Sequence, residues 1–420
     1  MPTATESPKA SSNEPTIPLP EYAARRANVL SAIKGSIGVV FAGEADANLH
    51  HAWRPHPHFE YLTGITDEAG AVLLLDPTNP VEARRAILFL RPLNPEIEKW
   101  DGFRDTISSK LRERYGVSTI MRTTAMPRFV TEAAKRAKRF SCLHPFSAYT
   151  APVSPDLALF RAIMERIPGC SMDDRTSVLA EMRAKKSKAE VAVMRHAVEI
   201  SAKGYEAALA TLRPGITEFD VQEAMEHAYK TNGARSTAYR TIAGAGLNAT
   251  VLHYHANDQM LVDGDLICID SGAAFGGYSA DVTRTYPING KFTKRQREIY
   301  DIVLDSLLAG TAAAKVGATL MDVDKACRDV INKKGYGDYF IHGAGHHLGL
   351  ETHDITPEGG LPEGAVITIE PGIYIPEERL GVRIEDDVLI GKGKSTVLSS
   401  MIAKTATEIE KLMASSRGRK

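Results

Sequence analysis

The second half of this 420-residue chain contains a copy of itself, and that repeat narrows the folds open to it. Gly215-x-Thr217-x-x-Asp220-Val221 returns as Gly317-x-Thr319-x-x-Asp322-Val323. Ile242-x-Gly244-Ala245-Gly246 returns as Ile341-x-Gly343-Ala344-Gly345, and His253 has its counterpart near His353. Gly264-x-x-Ile267-x-Ile269-Asp270-x-Gly272 returns as Gly364-x-x-Ile367-x-Ile369-Glu370-x-Gly372. Asp281 finds Glu385 slightly out of register. The matches keep their order at offsets of 99 to 104 residues. The pattern predicts two similar αβ halves facing each other across a pseudo-twofold axis. A site between them would receive one pair of carboxylates from each half.

Those carboxylates sit in telling places. Asp270 ends the apolar run LICID, and Asp281 follows a Gly- and Ala-rich segment that lets the chain turn back. Glu370 ends VITIE, and Glu385 lies in VRIEDDVLI. Acids at the ends of buried strands cannot all stay ionised when crowded, and divalent cations remove the conflict. The stretch His342-Gly-Ala-Gly-His346-His347, with His353 beyond it, supplies an imidazole to complete the shell. His347 is expected to point away, being adjacent to His346. Four carboxylates and one His suit Mn²⁺, Mg²⁺ or Co²⁺ better than a thiolate set would. Two such ions about 3.5–4 Å apart make hydrolytic machinery. HExxH, GxxxxGK[ST] and GxSxG are all absent. Arg383 is expected either to fix a carboxylate or to sit on the surface, and the acidic pairs Glu377-Glu378 and Asp386-Asp387 to be solvated or structural.

The length suggests two or three domains of roughly 150 residues. The net charge of −1 gives no pull toward nucleic acid or anionic membrane. No apolar run approaches the roughly 18 residues of a membrane span, and the first residues lack a secretory h-region. Cys142, Cys170, Cys268 and Cys327 are far apart, which reads as reduced thiols in a cytoplasmic protein. Residues 1–18 and 415–420 read as flexible tails. Between them, residues 19–178 alternate short apolar runs (37–43, 71–76, 86–92) with helical stretches, including 128–138 before a weaker strand at 139–143. That predicts an α/β domain. Residues 179–414 form the duplicated domain. It opens on a helix capped by Ser187 and Glu190, with Val191, Met194, Val198, Ala202 and Tyr205 on one stripe. Thr217 and Thr293 open two more helices. Trp53 and Trp100 are either core residues or pocket walls.

LHYHAND at 252–258, IDSGAAFGGYSADVTRTYPI at 269–288, HGAGHHLGLETHD at 342–354, TIEPGIYI at 368–375 and GVRIEDD at 381–387 resemble the aminopeptidase P and prolidase branch of the pita-bread metallopeptidases. More faintly, FEYLTGI at 59–65 resembles that family's smaller N-terminal α/β domain, although Arg54-Pro55-His56-Pro57-His58 departs from its pattern. The resemblance implies an α/β N-terminal domain and an α+β pita-bread catalytic domain. It implies two divalent ions, Mn²⁺ foremost and Co²⁺, Zn²⁺ or Mg²⁺ otherwise, on Asp270, Asp281, His346, Glu370 and Glu385. A bridging water or hydroxide would attack the bond between an N-terminal residue and proline. Glu370 would act as general base and carry the proton to the prolyl nitrogen. His253 and His353 would flank the substrate, one of them stabilising the oxyanion. His342 would shape the prolyl side, and Arg383 is carried with the substrate-binding set. A homodimer or homotetramer is implied. The alternatives are a prolidase confined to Xaa-Pro dipeptides and a non-catalytic binding protein on the same fold. A methionine aminopeptidase fits less well, because that group typically lacks this N-terminal domain.

Overall fold

A computed structural model describes residues 14–45 and 53–417. Most of the expected N-terminal tail and the last three residues lie outside the described residues. The final helix, Ala406–Arg417, runs into the segment expected to be a C-terminal tail. The chain divides into two compact units between Arg183 and Ala184.

The first unit is built on a six-stranded mixed sheet. Its strands are β1 (Ile37–Phe41), β2 (Val72–Leu75), β3 (Ala86–Leu90), β4 (Thr119–Arg122), β5 (Arg139–Cys142) and β6 (Ser171–Asp174), in spatial order 4-3-2-1-5-6. β1, β2 and β3 pair antiparallel, and the outer pairings are parallel. The expected runs thus become the central strands. Helices Met126–Ala137 and Pro155–Met164 bring Val130, Ala133 and Phe160 to the face formed by Ile37, Val39, Val72, Leu74, Ile87 and Phe89, and the strand residues between these are buried as well. Phe140 and Phe160 stack at 4.7 Å. Edge strands β4 and β6 carry polar, partly exposed residues, so no apolar run announces them. The polar stretch beginning at Asp173 holds a further helix, Thr176–Ala184, whose Leu179, Ala180 and Arg183 are buried.

The second unit realises the duplication. Helices Lys188–Thr211 and Glu218–Thr231 recur as Lys294–Ala313 and Leu320–Lys333. All four open on capping boxes, at Ser187/Glu190, Thr217/Asp220, Thr293/Gln296 and Thr319/Asp322. Each box satisfies end groups that the helix leaves unpaired, which fixes where the helix starts. The strands recur as well. Leu266–Asp270 pairs antiparallel with Thr283–Pro287, with Asp270 opposite Thr283. Val366–Ile369 pairs antiparallel with Asp386–Leu389, with Ile369 opposite Asp386. Ile267, Ile269, Ile367 and Ile369 enter one shared core with Tyr286 and Tyr300. The first strand therefore ends on Asp270, and Glu370 follows the second, at the rim of the same core.

Candidate metal centre

Asp270 and Asp281 meet because the chain between them folds back with little space. Ser271 N–H donates to Val282 O at 3.1 Å. A Cβ on Gly272 would strike the Ala280 carbonyl, so only glycine lets the two limbs approach this closely. The Tyr239 hydroxyl lies 2.5 Å from Asp270 Oδ1 and 2.6 Å from Asp281 Oδ1. One hydroxyl proton cannot satisfy two ionised carboxylates at once, so this geometry calls for a proton or a cation between them.

The second half contributes Glu370, Glu385 and the loop bearing His346. Ligand atoms of Asp281, His346 and Glu385 all lie within 4.8 Å of one another. His346 Nε2 is 3.5 Å from Asp281 Oδ2 and 3.5 Å from Glu370 Oε1. Its Nδ1 is 3.0 Å from the His347 carbonyl, which assigns the proton to Nδ1 and leaves the Nε2 lone pair facing the acids. Burial lowers the His346 pKa to about 4, so the ring stays neutral, as a ligand must. Burial and then the neighbouring acids push Asp281 and Glu385 well above the usual carboxylate range. Burial also raises Glu370 to about 7, against the pull of Arg383. This oxygen-rich, proton-hungry donor set fits divalent cations.

Arg383 braces the set. Its Nη2 donates to Asp270 Oδ2 at 2.8 Å, its Nη1 to Tyr374 Oη at 3.1 Å and its Nε to Thr283 Oγ1 at 3.2 Å. All three nitrogens meet protein atoms and the side chain is buried, which corrects the expectation of a surface cation. The carboxylate it fixes is Asp270, not its near neighbour Glu385. Thr283 Oγ1 donates onward to Glu385 Oε2 at 2.7 Å. His342 Nε2 lies 2.7 Å from Tyr374 Oη, and its Nδ1 2.8 Å from Gly343 O, so His342 joins the same chain of contacts. His353 stacks on His346 with ring centroids 3.9 Å apart. Burial and then the neighbouring His253 lower the His353 pKa.

Tyr239, Thr283 and Tyr374 carried no signal in the sequence, because hydroxyls serve so many structural ends. Asp386 and Asp387 are buried rather than solvated. Asp386 accepts from Arg284 Nη2 at 2.8 Å and from Lys404, and Asp387 Oδ2 accepts the Asp281 N–H at 3.2 Å. Glu377 and Glu378 are exposed, and Glu378 pairs with Arg295. His347 is buried beside Lys186 and Asp354. In the first unit, His56 caps helix Pro57–Thr63, and His58 Nδ1 lies 3.0 Å from Arg183 Nη1, so the divergent RPHPH stretch is structural there. Trp100 is 88% exposed and Trp53 only partly buried, so Trp100 is no core residue. All four cysteines are free. Among the described residues, no helix is long and apolar enough to cross a membrane.

Fold and donor set together define a metal-dependent hydrolase. Residues 192–392 match the model of metallopeptidase family M24, and residues 22–142 that of the aminopeptidase P N-terminal domain. The Xaa-Pro aminopeptidase of Haemophilus influenzae is 33% identical over 94% of this chain and 98% of its own length. The structure of Pseudomonas aeruginosa aminopeptidase PepP superposes with a TM-score of 0.87 at 30% identity, covering 96% of this chain and 100% of that one. An Xaa-Pro dipeptidase of Pyrococcus furiosus is 43% identical over 51% of this chain and 62% of its own length. The chain belongs to metallopeptidase family M24, in its aminopeptidase P branch.

Proposed function

We propose that this protein is an Xaa-Pro aminopeptidase, removing the N-terminal residue from peptides that have proline second. The match carrying this reading is the one to the Haemophilus enzyme, which runs through both units and nearly the whole of each chain. Asp270, Asp281, His346, Glu370 and Glu385 would hold two divalent cations, Mn²⁺ by preference and Co²⁺, Zn²⁺ or Mg²⁺ otherwise. When bound, they supply Lewis acidity and an activated water.

The remaining chemistry belongs to side chains. Glu370 takes the proton from the attacking water. As the C–N bond breaks, it returns that proton to the prolyl nitrogen, which leaves as a secondary amine. An amide nitrogen leaves as an amine only once protonated, and this delivered proton meets that need. His353 and His253 flank the scissile carbonyl, and one of them donates to its oxygen as negative charge develops there. The His346–His353 stack supports that placement. His342 shapes the prolyl side, and Arg383 holds Asp270 in place rather than touching peptide. A cytoplasmic homodimer or homotetramer is part of the proposal.

The dipeptidase likeness favours a second reading, a prolidase, because its identity is the higher, 43% against 33%, over about half of this chain. Hydrolysis of a matched Xaa-Pro dipeptide and Xaa-Pro-Yaa tripeptide with Mn²⁺ separates the two. Cleavage of the tripeptide is expected. Cleavage of the dipeptide alone would replace this reading with the prolidase.

A further inference from the structure

The histidines of the second half hang on a loop, 346–354, that has no regular helix or strand of its own. Its closure is local: Asp354 N–H donates to His347 O at 2.8 Å, and Gly349 N–H to Glu351 O at 3.0 Å. Behind it lies a buried ion pair. Lys186 Nζ is 3.2 Å from Asp354 Oδ2, and each side chain is 1% exposed. Burying two charges costs desolvation that their attraction often fails to recover, so stability alone is a weak reason for such a pair.

Its surroundings suggest another reason. Gly349 lies directly over the pair: a Cβ there would strike Asp354 Oδ2 and come within 3.2 Å of Lys186 Cε. The loop is thus pressed onto the pair by a residue without a side chain. The Lys186 main chain is itself fixed. Its N–H donates to Gly364 O at 3.0 Å, at the root of the strand leading to Glu370. The next residue, Ser187, is the cap of helix Lys188–Thr211. A rigid base therefore reaches the loop through one ammonium, one residue beyond His353.

We propose that Lys186, through its ion pair with Asp354, is a positioning residue that sets His353 against His346 and the reacting carbonyl. This rests on the aminopeptidase reading above. The test uses the full chain loaded with Mn²⁺ and an Xaa-Pro-Yaa tripeptide. Lys186→Met combined with Asp354→Asn removes both charges and leaves no orphan behind. The variant should keep its metal content and thermal midpoint. Its kcat should fall at least about tenfold, with KM within about threefold. Adding His353→Ala should then cost nothing beyond what His353→Ala costs alone. Should the double variant fail to fold, Gly349→Ala pushes the loop off the pair while both charges stay in the chain, and the same kcat loss is expected. Unchanged kcat in a folded, metal-loaded variant would overturn the proposal, as would full additivity with His353→Ala. Amide exchange across 346–354 needs no turnover. It should quicken at least about tenfold in the double variant even if the protein cleaves no such peptide, and unchanged protection would overturn the latch independently.

Discussion

Arg383, from the second half of the duplicated unit, holds Asp270, from the first, at 2.8 Å. The contact joins the two halves at the point where their carboxylates converge. It is a charge-assisted bond from a planar guanidinium that also serves Tyr374 and Thr283. Lysine has the charge but not the fork. Arg383→Lys should therefore leave the fold in place and lower kcat/KM by about 10–100-fold, with weaker metal binding. Steady-state kinetics beside a metal titration check this. Wild-type values for both would show that the contact is incidental.

Glu370→Gln keeps size and shape but cannot accept the proton of the attacking water. Turnover should fall by about 10²–10⁴-fold with circular dichroism unchanged. The same substitution removes one anionic donor, so metal content is to be measured alongside. Near-normal turnover would remove Glu370 from its assigned role.

The first unit should be sensitive to acid. Burial, with His144 and Arg183 nearby, lowers the His56 pKa to about 3, and His58 is lowered well below its ordinary value mainly by burial. The unfolded chain takes up these protons near pH 6.5, and the folded chain does not. Stability is therefore complete above about pH 6.5 and declines as pH falls toward 3, by up to about 1.4 kcal/mol per pH unit for each such histidine. Thermal midpoints measured from pH 7 to 4 should fall, and His56→Gln should flatten the slope. An identical slope in the variant would show that His56 does not contribute.

The duplication made most of the site legible in the sequence. Asp270 and Glu370 sit at equivalent strand ends because the two halves share one strand-and-turn plan, and a 100-residue offset exposes the pair. Capping boxes were equally readable, since their chemistry is local. Residues that act through distant contacts were not. Tyr239 bridges carboxylates 31 and 42 residues away, and Arg284 reaches Asp386 from 102 residues off. Edge strands β4 and β6 escaped for a related reason: with little of either face buried, they need no apolar pattern. Arg383 was readable as a partner for a carboxylate, but which carboxylate depended on the pairing of the halves.

The most direct test of the central claim is release of the N-terminal residue from an Xaa-Pro-Yaa peptide, before and after exhaustive chelation. The proposed five-residue donor set predicts that activity disappears with the metal and returns on adding Mn²⁺ or Co²⁺. Full activity in the chelated protein would contradict the metal mechanism. No cleavage under any metal would contradict the aminopeptidase reading itself.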